Sequence, residues 1–181
     1  MRIALLRTLV AVMISAVALV LATVTAQASV KDKENDPVFD GNAPGDVTVL
    51  VTKISHATAT ARLRSSNITW SSSGGCSNRN NPTCTSFEQV NSATIEGIRT
   101  LKSASGCAIN VTGGTETGHA SGTYSHWNGY KLDTSLSSCL NGYIQGTFTS
   151  IGGSKWRSAA GNIYYKEGNH WDITYYNCGG C

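Results

Sequence analysis

All six cysteines of the chain, Cys76, Cys84, Cys107, Cys139, Cys178 and Cys181, lie downstream of an N-terminal stretch with the layout of an export signal. Arg2 and Arg7 supply the positive charge of that stretch, residues 9–24 are apolar, and Ala26-Gln27-Ala28 forms a small-residue cleavage motif before Ser29. An even number of cysteines in an exported chain implies disulfides, because the cytosolic reductants that keep thiols free are left behind. Bridges at these spacings confine the chain to a compact, loop-rich domain. Nearest-neighbour pairing is expected: Cys76 with Cys84, Cys107 with Cys139, and Cys178 with Cys181. The last pair, Cys-Gly-Gly-Cys, reads as a staple. No helix follows it to lower a thiol pKa, and no second C-x-x-C completes a zinc set.

The expected division is a signal peptide over residues 1–28, an acidic linker or propeptide-like segment over residues 29–46, and a single domain over residues 47–181. The linker holds five of the eleven acidic residues and two of the three prolines. Without it, residues 47–181 carry ten Lys/Arg against six Asp/Glu, a net charge of +4. The +1 left once Arg2 and Arg7 are removed argues against a nucleic-acid partner, while the +4 of residues 47–181 suits an anionic matrix such as a bacterial cell wall. The reading is of a secreted chain, monomeric and free of the membrane once the signal is cleaved.

Residues 47–54 are β-branched and apolar enough for a strand, and residues 58–70 alternate loosely through Ala59, Ala61, Leu63 and Ile68 as a second strand or hairpin would. Residues 71–85 form a Ser/Gly/Asn loop. Ser86 with Gln89 makes a capping box, after which Phe87, Val90, Thr94, Ile98 and Leu101 recur at helical spacing up to Lys102. This apolar stripe is read as core. Residues 107–112 return to strand character, and the chemically informative residues follow them.

Of four histidines, two sit in patterned company. His126-Trp127-Asn128-Gly129 leads to Asp133 as H-x-x-G-x-x-x-D, and Glu167-Gly168-Asn169-His170 is E-x-x-H. Two imidazoles and one carboxylate are the three protein ligands of a catalytic zinc, leaving a fourth position for water, and a further Glu beside that water supplies a base. Separations of seven and three would put partners on opposite faces of an ideal strand. A wide turn at Asn128-Gly129 and a break at Gly168-Asn169 are therefore needed for His126, Asp133, His170 and Glu167 to converge. His119, seven residues before His126, is close enough to stabilise an oxyanion, and Trp127, Tyr130, Trp171 and Tyr175 are candidate walls for a substrate. His56 reads as a turn histidine.

The pair of motifs, preceded by Val111-Thr112-Gly113-Gly114, resembles the zinc D-alanyl-D-alanine carboxypeptidase and Hedgehog-type peptidase family over about residues 107–176. The resemblance implies an α+β fold, a small antiparallel sheet with one main helix packed on it, here stabilised by disulfides. It further implies a zinc metallopeptidase acting on peptidoglycan stem peptides, with His126, Asp133 and His170 as metal ligands and Glu167 as general base. The family's substrate-binding Arg after the glycine turn has no counterpart in Gly114-Thr115-Glu116, and Lys131 stands where the family has a small residue. The alternative is a non-catalytic cell-wall-binding module whose metal site is vestigial or structural.

Overall fold

The structure, a computed structural model, describes residues 51–176. The expected signal and acidic linker, the first half of the strand expected over 47–54, and the Cys178/Cys181 pair lie outside these residues. A short strand β1 (Lys53–Ile54) pairs antiparallel with β3 (Val90–Asn91). Between them lie helix α1 (His56–Ser65), strand β2 (Thr69–Trp70) and the irregular segment of residues 71–89.

Where a strand or hairpin was expected over 58–70, the chain forms α1. Ser55 caps it by accepting the Thr58 N–H at 3.2 Å, and Arg62 and Arg64 meet the negative end of its dipole. Ala59, Thr60 and Leu63, spaced for a helix face, are buried. Alanine and arginine favour helix, so the loose alternation was a weaker signal than propensity. His56 starts this helix, and its Nδ1 accepts the Phe87 N–H at 3.0 Å.

The one helix expected exists, as α2 (Ser92–Ser105), but it begins six residues after the capping-box serine. The Ser86 N–H is instead donated to the Glu116 carboxylate, and Asn91 stands at the N-cap. The apolar stripe is nonetheless core: Phe87, Val90, Thr94, Ile98 and Leu101 are all buried. A third helix, α3 (Ser138–Thr147), was not apparent from the sequence because Gly142 and Gly146 dilute its propensity. Its Ser137 cap accepts the Leu140 N–H, and the Cys107–Cys139 disulfide ties its first turn to the chain just beyond α2. Cys76–Cys84, the other expected bridge among the described residues, closes the loop before α2.

The remaining strands are β4 (Asn110–Gly113), β5 (Lys131–Ser135), β6 (Thr149–Gly152), β7 (Lys155–Arg157), β8 (Ile163–Glu167) and β9 (His170–Thr174). With β2 they make a seven-stranded sheet in the order β2-β4-β5-β9-β8-β7-β6. The β2–β4 pair is parallel and all others are antiparallel. The fold is thus α+β as expected, but its sheet is mixed and larger than the small antiparallel one foreseen, and among the described residues three helices replace one. None of the described helices is long and apolar enough to cross a membrane.

Strand alternation sorts the side chains of β5 and β9 into two sets. Leu132, Trp171 and Ile173 join the core cluster with Leu63 of α1, Ile95 and Ile98 of α2, and Leu140 and Ile144 of α3. The opposite parity, Lys131, Asp133, His170 and Asp172, lines a cleft instead. The core that holds the helices on the sheet therefore also fixes which residues face the cleft.

Candidate metal centre

Asp133 and Asp172 are directly opposed on the central strands β5 and β9. Both are buried, at 7% exposure each. Like charges facing each other across a ladder repel, so this face of the sheet requires cations. Lys131 Nζ supplies one, 3.0 Å from Asp172 Oδ2. Around Asp133 stand three imidazoles. His126 Nε2 lies 3.2 Å and His170 Nε2 3.8 Å from Asp133 Oδ1, while His119 Nδ1 lies 3.7 Å from Oδ2.

Each element delivers its ligand for a local reason. His126 comes from the wide turn the sequence required: the Gly129 N–H donates to the His126 carbonyl at 2.8 Å and the Tyr130 N–H to that of Ser125 at 3.1 Å before β5 begins. Lys53 Nζ donates to the Asn128 carbonyl, and an Arg79 guanidinium to that of Trp127, so the turn is pinned from two sides. The Glu167–His170 pair closes the β8–β9 hairpin. Those two residues are cross-strand partners, and the two-residue turn between them puts both on one face. Gly168 adopts a φ of +54°, which the first position of such a turn demands and side-chain-bearing residues resist. Glu167 Oε2 consequently sits 3.8 Å from His170 Nε2.

Lys131 also faces the site. Lys131 is two residues from Asp133 on the same strand and so shares its face; Asp172 is what neutralises it. Of the expected aromatic walls, Trp171 is fully buried in the core, where its Nε1 donates to Asn141 Oδ1, and Tyr175 is 1% exposed. Trp127 is 44% exposed and lies under the Arg79 guanidinium, beside a second hollow of about 270 Å³ that adjoins the cleft through Gly118, His119 and Ala120.

The donor set could hold a metal ion. Asp133 Oδ1 is buried with no hydrogen-bond partner although two imidazole nitrogens point toward it. One atom from each of His119, His126 and Asp133 falls within 4.8 Å of the others. Each imidazole also has its second nitrogen held by an oxygen: His126 Nδ1 by the Gly114 carbonyl at 2.7 Å, His119 Nε2 by Glu116 Oε1 at 3.2 Å, and His170 Nδ1 by Asn169 Oδ1 at 3.1 Å. Outer acceptors of this kind orient metal-binding histidines and fix their tautomer. The cleft they enclose measures about 310 Å³.

The charges of the cleft favour a protonated His126 beside an ionised Asp133. Burial works to lower the His126 pKa, but the Asp133 charge beside it, with Asp172 behind, overrides this and raises it to about 9. Burial would likewise raise the Asp133 pKa, yet the facing His126, with His119 and His170, brings it down to about 2. Glu116, 3% exposed, is held below the usual carboxylate range. Its burial is outweighed by hydrogen bonds from His119 and from the Ser86 and Gly114 N–H groups.

Glu116 is the participant that the sequence reading missed. The signal was there: Glu116-Thr117-Gly118-His119 repeats the E-x-x-H spacing of Glu167 and His170. Comparisons with protein-family models, curated proteins and solved structures find no match. The functional reading accordingly stands on this geometry and on the motifs.

Proposed function

We propose that the chain is a secreted zinc-dependent metallopeptidase that hydrolyses peptide bonds in the stem peptides of bacterial peptidoglycan. The observation that carries this reading is the convergence of His126 Nε2 and His170 Nε2 on one oxygen of Asp133, with Glu167 at the edge of the same cleft. Zinc held there by His126, Asp133 and His170 would polarise a scissile carbonyl and acidify a water.

The remaining work belongs to the chain's own side chains. Glu167, whose side chain is 37% exposed, is open enough to take a proton from the attacking water at its carboxylate and pass it to the leaving amine. Asp172 keeps the Lys131 ammonium paired on the cleft floor. The Gly114 carbonyl and Asn169 hold the rings of His126 and His170 so that their Nε2 atoms face inward. Trp127 offers an aromatic face to a chain lying in the adjoining hollow. Two disulfides across the loops suit an oxidising compartment outside the cell.

A second reading, a non-catalytic cell-wall-binding module with a structural metal, draws on one observation: His119 brings a further donor to Asp133, and structural zinc sites have four protein ligands. Zinc content and hydrolysis of purified peptidoglycan separate the two. The peptidase reading expects about one zinc per chain, together with release of new amino groups from peptidoglycan that chelation abolishes. Full zinc with intact peptidoglycan would favour the binding module.

A further inference from the structure

Asp133 presents both of its oxygens to imidazoles, Oδ1 to His126 and His170 and Oδ2 to His119. His119 differs from the other two in what fixes it. Its Nε2 meets Glu116 Oε1, and that carboxylate already accepts the Ser86 N–H at 2.7 Å and the Gly114 N–H at 3.0 Å. A carboxylate loaded with backbone donors is an acceptor, so Nε2 carries the hydrogen and the neutral ring's lone pair is on Nδ1. Nδ1 is the atom that faces Asp133. A carboxylate-bound histidine with its free lone pair aimed at a metal cluster is the outer-shell arrangement typical of a ligand.

The distances agree. Around a tetrahedral zinc with bonds of about 2.0–2.1 Å, ligand atoms lie roughly 3.4 Å apart. His119, His126 and Asp133 already have theirs within 4.8 Å, so a shift of little more than an ångström brings these three to bonding range, while His170 Nε2, outside that group, lies 3.8 Å from Asp133 Oδ1. His119 is also placed to make that shift and to reverse it. Asp133 and His170 are on strands, whereas residues 114–130 contain neither helix nor strand, and the His119 side chain is 25% exposed at the junction of the two hollows.

We infer that His119 is a fourth, displaceable protein ligand that closes the metal site at rest and must leave before a water or substrate reaches the ion. The inference rests on the proposed zinc site and adds to it a latent state: Glu116 keeps His119 poised, and a substrate entering from the Trp127 side displaces the ring from the ion. In this state the site has three imidazoles and one carboxylate and resembles a structural centre. With His119 withdrawn it has the three ligands of a catalytic one.

The test is X-ray absorption at the zinc edge on the purified, zinc-loaded protein and on His119→Ala, with zinc affinities for both and for His126→Ala. Three imidazoles in the wild type and two in His119→Ala are expected. Zinc should bind the variant more weakly, by at least the about 10- to 100-fold that losing an outer partner costs. Azide added to the cobalt-substituted proteins should change the visible spectrum of His119→Ala at lower concentration than that of the wild type. Two imidazoles in the wild type would overturn the inference, a measurement that needs no variant to fold. If His126→Ala then still lost zinc, the proposed peptidase site would stand without the latent state. Absence of zinc binding by the wild type would sink both.

Discussion

Gly113 on β4 lies directly across from Asp133 on β5, and the Asp133 carboxylate occupies the space that a side chain at 113 would fill. A Cβ placed there falls well inside van der Waals contact of Asp133 Oδ2. The irregularity in the β4–β5 register between Val111 and Gly113 brings this glycine opposite the aspartate. Gly113 is thus the cradle of the carboxylate on which the imidazoles converge.

Gly113→Ala should therefore act on the metal before it acts on the fold. Overpacking costs about 1–3 kcal/mol, which a disulfide-bonded domain tolerates, while the displaced carboxylate should weaken zinc binding about tenfold or more. Zinc titration alongside thermal unfolding reads both effects. Unchanged affinity in a destabilised variant would show that Asp133 does not depend on this cradle.

Glu167→Gln should keep both zinc and fold, because the side chain is at the cleft rim and the amide preserves its shape. Hydrolysis of peptidoglycan should fall about 10²- to 10⁴-fold, the usual contribution of a general base. Asp133→Asn should instead lose zinc as well as rate. Full activity in Glu167→Gln would pass the base role to another group.

Zinc uptake should release a proton near neutral pH. In the metal-free protein His126 titrates at about 9 against an ordinary value of 6.5, so its contribution to stability is fully present below 6.5 and is lost as pH rises through 9. Asp133 titrates at about 2 against 3.8, so its contribution is present above 3.8 and is lost as pH falls through 2. The metal-free protein should be most stabilised by this pair between those limits. A metal must displace the His126 proton, so zinc affinity should rise about tenfold per pH unit between 6.5 and 9. Calorimetry in buffers of different ionisation heat would count the proton, and none released at pH 7.5 would contradict the assignment.

Opening the Cys107–Cys139 bridge should loosen the site together with the fold. The bridge spans 32 residues and encloses both His126 and Asp133. In the chain-entropy model such a loop is worth about 3–4 kcal/mol, a fall in melting temperature on the order of 10 °C. Cys107→Ser with Cys139→Ser, compared by thermal unfolding with and without zinc, should show that loss, partly recovered when zinc is bound.

The sequence alone picked out four residues that line one cleft, and much of their support. Histidine, aspartate and glutamate at two short spacings named His126, Asp133, Glu167 and His170, because metal chemistry tolerates few residue types. The spacing of Phe87, Val90, Thr94, Ile98 and Leu101 marked a buried stripe whatever the helix boundary, since burial follows hydrophobicity more closely than backbone conformation. Nearest-neighbour pairing of Cys76 with Cys84 and Cys107 with Cys139 was equally legible. Tertiary structure decided what depends on partners distant in the chain. Ser86 left its capping box because Glu116, 30 residues on, took its N–H. Trp171 went to the core and Asp172 to the cleft because α2 and α3 cover one face of the sheet, and strand alternation then leaves each residue a single side. Most of all, Glu116 joined the site through His119: their spacing is local, but only the fold brought Asp133 opposite them, since the meeting of β4 and β5 is a long-range pairing that no short motif encodes.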